Sequence, residues 1–271
     1  MKKLILAALL AATSFVPAAF AQSANSTITF SNFHYTLTDL TPDDGIAPSA
    51  AFTFLNYAYV LGSNPGSNDQ TFSKDDVATQ SAAVSAPGYS ISASTTAGIG
   101  LQHLNGASAK ASGSAIISGD ETPYSDGKQI SAYSASTILY SGDFTLAPGS
   151  QITFYADVHA FASSDTGTTN DESFARAIGW FSGSAGNDYF STSVQANATH
   201  NNDFGLKTDE MTQALQVTFS NDGFKPLTGY FNIRGDIGGS AVNMLPVPEP
   251  STYAMFLAGL GLIGFAKRRR K

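Results

Sequence analysis

Tyr155, Asp157 and His159 stand at every second position of residues 151–161, so an extended strand would carry a phenol, a carboxylate and an imidazole on one face. That set could move protons. Catalytic groups, however, sit more often on loops and in clefts than in mid-strand, and solvated strand residues are the ordinary reading. The histidines His34, His103, His159 and His200 form no H-x-H or H-x-x-x-H pair of the kind that grips zinc. No G-x-S-x-G elbow is present to hold a serine nucleophile. Residues 259–264, Gly-Leu-Gly-Leu-Ile-Gly, match the dinucleotide letter pattern. Their apolar context lacks the preceding strand and the following acidic residue that this chemistry needs, so small residues permitting close helix approach explain them better.

Two binding chemistries remain. Calcium takes six to eight oxygens, and oxygen-rich stretches occur at Asp165 with Asn170, Asp171 and Glu172, at residues 69–76, and at Asn201, Asn202 and Asp203. None follows the D-x-[DN]-x-[DN]-G spacing, so solvated acidic loops are expected, with calcium as the one cofactor to consider. Sugar rings stack on exposed aromatics. Trp180 and Tyr189 are the candidate sugar contacts, close in sequence to Phe181 and Phe190, while Tyr155 and Phe161 are expected to face away from the core.

The elements that must position these residues are strands. Ile152, Phe154, Ala156, Val158 and Ala160 alternate with Thr153, Tyr155, Asp157 and His159, one set packed and the other wet. Residues 213–220 repeat the pattern with Leu215, Val217 and Phe219 inward. Residues 227–234 follow, with Leu227, Phe231 and Ile233 opposite Tyr230, Asn232 and Arg234. Asn221-Asp222-Gly223 between them supplies turn residues, which makes the two runs the best candidate hairpin. Further strands are expected at 27–37, 50–61, 89–97, 130–140 and 174–181, with a phase change near Ser31 and Asn32 that reads as a bulge. Residues 82–127, rich in Ala, Ser and Gly, fit strands or loops. The expected fold is all-β: an antiparallel, jelly-roll-like β-sandwich over residues 22–243.

The two ends differ from this body. Lys2 and Lys3, the apolar run 4–12 and the small-x-small site Ala19-Phe20-Ala21 before Gln22 read as a secretory signal peptide, residues 1–21, cut by signal peptidase after Ala21. At the other end, Pro248 and Pro250 keep the linker 244–252 extended. Residues 253–266 are apolar; as a helix they rise about 21 Å, short of the ~30 Å hydrocarbon core. Such a membrane segment requires local thinning or snorkelling. Lys267, Arg268, Arg269, Arg270 and Lys271 then form a basic tail that the positive-inside rule keeps in the cytoplasm.

With both ends set aside, the body holds seven basic against twenty acidic side chains, a formal charge of −13 hidden behind the whole chain's −7. Such a surface repels phosphate backbones, so nucleic acid is not an expected partner. The chain has no cysteine, which excludes disulfides, thiolate metal sites and a cysteine nucleophile.

Pro248-Glu249-Pro250, an apolar segment and an arginine-rich end, in that order, resemble a PEP-CTERM sorting signal. The Leu245-Pro246-Val247-Pro248-Glu249 run lacks the Thr-Gly of the Gram-positive sorting signal. The resemblance implies a Gram-negative host and an exosortase, a membrane-embedded cysteine transpeptidase-like enzyme. It makes Pro248, Glu249 and Pro250 the processing motif, residues 253–266 the transient anchor and residues 267–271 the retention signal. A plain tail anchor is the alternative, although a short span suits a permanent anchor poorly. Residues 33–51 also look like the opening of some exported proteins with this tail. The expectation is a non-enzymatic exported protein with an inner-membrane intermediate, its body in the periplasm, bound for the cell surface or extracellular matrix. A module binding exopolysaccharide is the first alternative. A polysaccharide hydrolase, which would need paired carboxylates in a cleft, is the second.

Overall fold

The computed structural model describes residues 22–54, 57–64, 67–74, 79–86, 88–96, 106–117, 128–166, 173–200, 203 and 205–244. The expected signal peptide with Ala19 and Ala21, the motif Pro248-Glu249-Pro250, the membrane segment 253–266 and the basic residues 267–271 lie outside them. Among the described residues no helix is long and apolar enough to cross a membrane.

The body is all-β, with two antiparallel sheets. Its strands are β1 (Gln22–Asp39), β2 (Ala50–Phe54), β3 (Tyr57–Asn64), β4 (Ser67–Lys74), β5 (Thr79–Ala86), β6 (Tyr89–Thr96) and β7 (Ala107–Ile117). They continue with β8 (Lys128–Leu146), β9 (Ser150–Thr166), β10 (Phe174–Ala185), β11 (Asp188–Thr199), β12 (Gly205–Asn221) and β13 (Leu227–Met244). The six-stranded sheet runs β12-β9-β1-β7-β6-β5; the seven-stranded sheet runs β11-β10-β13-β8-β3-β4, with β2 also paired to β8.

Alternation puts one face of each sheet into a shared core, and the core is graded along the strands. At one pole it is aromatic: Phe154 of β9 stacks on Phe231 of β13 at 4.2 Å and 12°, joining the two sheets, and Phe144 meets it edge-on at 5.8 Å. Toward the opposite pole the same rows shrink to Ala160 and Ala162 on β9, Ala175 and Ala177 on β10, and Ala241 on β13, all fully buried.

The bulge expected at Ser31 and Asn32 is present. Pairing of β1 with β9 shifts register between Ser31 and His34, and Asn32 takes φ 54°, a left-handed conformation that asparagine tolerates better than most residues. The expected strand 50–61 is two strands, β2 and β3, both paired to β8.

The expected hairpin of 213–220 with 227–234 is not formed. β12 pairs with β9 and β13 pairs with β8 and β10, so the two runs lie in opposite sheets. Both bury their apolar rows toward each other, with Phe219 and Phe231 6.3 Å apart across the core. Asn221 fixes this crossing: its Nδ2 donates to the carbonyls of Leu146 (3.1 Å) and Lys225 (2.9 Å), and its Oδ1 accepts from the Gly223 amide at 3.1 Å. An asparagine that looks like a hairpin turn therefore ties one sheet to the other.

The edge strand β11 is protected by side chains of β12. Asp209 accepts the Asn197 amide at 2.8 Å, and Lys207 donates to the Thr199 carbonyl at 2.9 Å. Both contacts occupy backbone groups that would otherwise invite another strand.

Candidate functional site

Tyr155, Asp157 and His159 do share the outer face of β9, yet each is joined to a neighbouring strand rather than to the others. Asn32 donates to Asp157 Oδ2 at 2.5 Å, so the bulge aims its own side chain at the carboxylate. His34 stacks on Tyr155 at 4.7 Å and 9°, and its Nδ1 lies 2.7 Å from the Asn32 carbonyl. A carbonyl only accepts, so Nδ1 carries the proton. His159 Nε2 meets Glu210 Oε1 at 2.8 Å, with both side chains exposed. The bulge leaves a shallow 580 Å³ depression lined by His34, Tyr155, Asp157 and Gln216, open to solvent.

The candidate sugar contacts fall on the other sheet. On β10 the odd positions from Ala175 to Ala185 point inward, whereas Trp180, Ser182 and Ser184 point outward. Trp180 is 38% and Tyr189 75% exposed. Phe181, by contrast, is fully buried, and Phe190 packs partly buried against the core. Pairing brings in residues that sequence order did not. Ser184 lies opposite Tyr189 on β11 and opposite Tyr230 on β13, while Trp180 lies opposite Arg234. Tyr230, 40% exposed, donates to or accepts from the Ser141 hydroxyl at 2.9 Å, which holds its ring on the face. The alternation of residues 227–234 had marked Tyr230, Asn232 and Arg234 as outward; which strand lies beside them is not encoded by period two.

The local backbone explains how this face is held. Beneath Trp180 and Arg234, Gly179 pairs with Gly235. A Cβ on Gly179 would meet Val158 Cγ1 at 2.7 Å, and one on Gly235 would meet Ile28 and Phe30 at 2.8 Å. The missing side chains let the opposite sheet press directly under the aromatic row.

The face also carries charge of both signs, with exposed Asp143 of β8 opposite Tyr230. Arg234 Nε donates to Asp236 Oδ1 at 2.8 Å, and Arg176, exposed four residues before Trp180 on β10, forms no ion pair among the described residues. They are the only two arginines of residues 22–243.

The oxygen-rich stretches gain less. Asn170, Asp171, Glu172, Asn201, Asn202, Asp75 and Asp76 lie outside the described residues. Asp203 is bound to Lys207 and stands 3.3 Å from Nδ1 of the buried His200, whose Nε2 donates to the Ser164 carbonyl at 3.0 Å. This cluster ties β9 to the β11–β12 connection. Among the described residues no three His, Asp or Glu side chains converge as metal ligands.

His200 marks one pole of the body. Its amide bonds Ser173, and the Ser173 hydroxyl accepts the amide of Val242 near the end of β13. Gln22 begins β1 at the same pole, where Ser23 pairs with Asp165. Strand β13 ends at Met244 near this pole, and residues 246–271 match the family model of the PEP-CTERM protein-sorting motif. The chain carries a PEP-CTERM sorting domain. Neither the curated proteins nor the solved structures offer a significant match. The PEP-CTERM motif implies export, membrane-associated sorting and processing by an exosortase. It begins two residues after Met244, the end of β13, so the motif overlaps none of the described strands.

Proposed function

We propose that this is a non-enzymatic exported protein of the cell surface or extracellular matrix, released from the inner membrane by exosortase cleavage at Pro248-Glu249-Pro250. The observation that carries the reading is the sorting motif at residues 246–271, directly after β13. Residues 1–21 direct export and are cut before Gln22. Residues 253–266 hold the intermediate in the membrane, with the body in the periplasm and residues 267–271 in the cytoplasm.

The body suits that route. Its two sheets form a jelly-roll-like sandwich in which the chain crosses repeatedly between layers, and its described core belongs to strands between Gln22 and Met244. Removing the tail therefore takes none of the described strands and no side chain of the described core. Strand β13, 18 residues long, spans about 60 Å at ~3.4 Å per residue, with Phe231 of the aromatic pole near its start and Met244 at its end. Asp157, His159, Asp209 and Glu210 are engaged by neighbouring strands, which favours a structural or adhesive role.

Intact mass of the protein from surface and medium fractions of its host tests this reading, beside a variant with Pro248, Glu249 and Pro250 all changed to Ala. The expected native mass lacks residues 1–21 and the tail, and the variant stays in the membrane. A native chain still ending at Lys271 would overturn it.

A further inference from the structure

We infer that the outer face of β11, β10 and β13 is a binding face for an acidic polysaccharide, with Trp180 as the stacking platform and Arg176 and Arg234 as its carboxylate contacts. This concerns the folded body and stands whether or not the tail is cut.

The aromatic part comes from placement. Trp180, Tyr189, Tyr230 and Phe174 account for four of the nine exposed large hydrophobic side chains among the described residues, and all four lie on this face. Isolated exposed apolar residues need no explanation, but a row on adjacent strands does. Tyr189 and Tyr230 flank Ser184, which puts their backbones about 10 Å apart at ~4.8 Å per strand. Trp180 lies four residues from Ser184 along β10, about 14 Å at ~3.4 Å per residue. Ser182 and Asn232 occupy the paired positions between them. Flat rings separated by hydroxyls and an amide suit a chain of sugar rings, which has apolar faces and a polar rim. A protein partner would favour a continuous apolar centre, which these polar positions interrupt.

Charge selects among saccharides. A body with formal charge −13 repels acidic polymers in general. Yet both of its arginines are on this face, Arg234 beside Trp180 and Arg176 four residues along the same strand. Asp236 engages only Nε of Arg234, leaving the two terminal nitrogens to face a ligand. Guanidinium groups bind carboxylates through two parallel hydrogen bonds, which a neutral glycan cannot use. A uronate-type chain laid over Trp180 would offer carboxylates to both arginines.

The test uses the full-length chain in non-ionic detergent, with polygalacturonate as the acidic probe and hydroxyethylcellulose as the neutral one, titrated calorimetrically at low and high salt. Polygalacturonate should bind at least ~10-fold more tightly, and more weakly at high salt. Trp180→Ala should weaken binding by ~10-fold or more, and the double variant Arg176→Gln, Arg234→Gln should remove the preference for the acidic chain. All three substituted positions are exposed, and an unfolding midpoint equal to the parent's confirms that each variant is folded. Lack of binding to either polymer, binding that survives Trp180→Ala, or equal affinity for both polymers would overturn the inference. So would a dimer that Trp180→Ala dissolves, which would make the face a self-association surface.

Discussion

The outer faces of the two sheets are built on the same alternation and end up chemically opposite. On the six-stranded sheet the outward groups satisfy one another: Asn32 with Asp157, His34 on Tyr155, His159 with Glu210, and the Ser92 and Ser112 hydroxyls at 2.9 Å. On the seven-stranded sheet Trp180, Tyr189 and Arg176 project without such partners among the described residues, and Arg234 is only partly engaged. A face whose polar groups are paired holds strands together; a face whose rings and cations remain open has capacity for a ligand. The presence of Tyr, Asp and His on one strand thus says less about function than the partners each finds across the sheet.

The largest expected effect lies beneath both faces. Phe154→Ala removes the ring that stacks on Phe231 and should cost about 3–5 kcal/mol in urea unfolding, abolishing the distinction by unfolding both sheets together. A cost below about 1 kcal/mol would mean that this stack does not join the sheets.

Next is the support under Trp180. Gly179→Ala forces a Cβ to within 2.7 Å of Val158 and should destabilise by about 1–3 kcal/mol, while Ser182→Ala on the outward side of the same strand should change stability by less than about 0.5 kcal/mol. Similar values for the two would break the claim that the opposite sheet presses under this row.

Alkaline pH probes the core beneath both faces. Burial holds the Tyr133 and Tyr140 phenols well above the ordinary tyrosine value; for Tyr140 the Asp143 carboxylate adds to it. The folded state thus keeps both protons where the unfolded chain releases them. Their contribution is complete below about pH 10 and falls as pH rises beyond it, by at most about 1.4 kcal/mol per phenol per pH unit. Denaturant midpoints between pH 9 and 11 should fall less steeply in Tyr133→Phe, and an unchanged slope would contradict this.

The smallest effects should separate the faces. Asp157→Ala, losing the Asn32 bond at the bulge, should cost about 1 kcal/mol, and His159→Ala, breaking an exposed pair, about 0.2–1 kcal/mol. Trp180→Ala should change stability by no more than about 0.5 kcal/mol while weakening binding by ~10-fold or more. Greater destabilisation by Trp180→Ala than by Asp157→Ala would reverse the assignment of roles.

The alternation in the sequence already separates inward from outward residues on β9, β12 and β13, and the phase change at Ser31 and Asn32 locates the bulge. Which strands become neighbours was not legible there, because a period of two specifies a face and leaves the partner open. Asn221-Asp222-Gly223 misled for that reason: its residues favour a reversal, and the Asn221 bond to the Leu146 carbonyl and the core contact of Phe219 with Phe231 hold that reversal as a crossing between sheets. Strands β5 and β7 escaped reading because alanine and serine alternate with little contrast in hydrophobicity; Ala107, Ala109, Ala111 and Ala115 nevertheless point inward. Trp180 and Tyr189 were visible as candidates, whereas Tyr230 and Arg234 joined them only through pairing across β10 and β13.

Hydroxyl-radical footprinting with and without polygalacturonate reads both faces in one experiment. Protection of Trp180, Tyr189 and Tyr230, with His34, Tyr155 and His159 unchanged, is the predicted result. Protection confined to the six-stranded face, or to neither face, would contradict the division of roles between the two sheets.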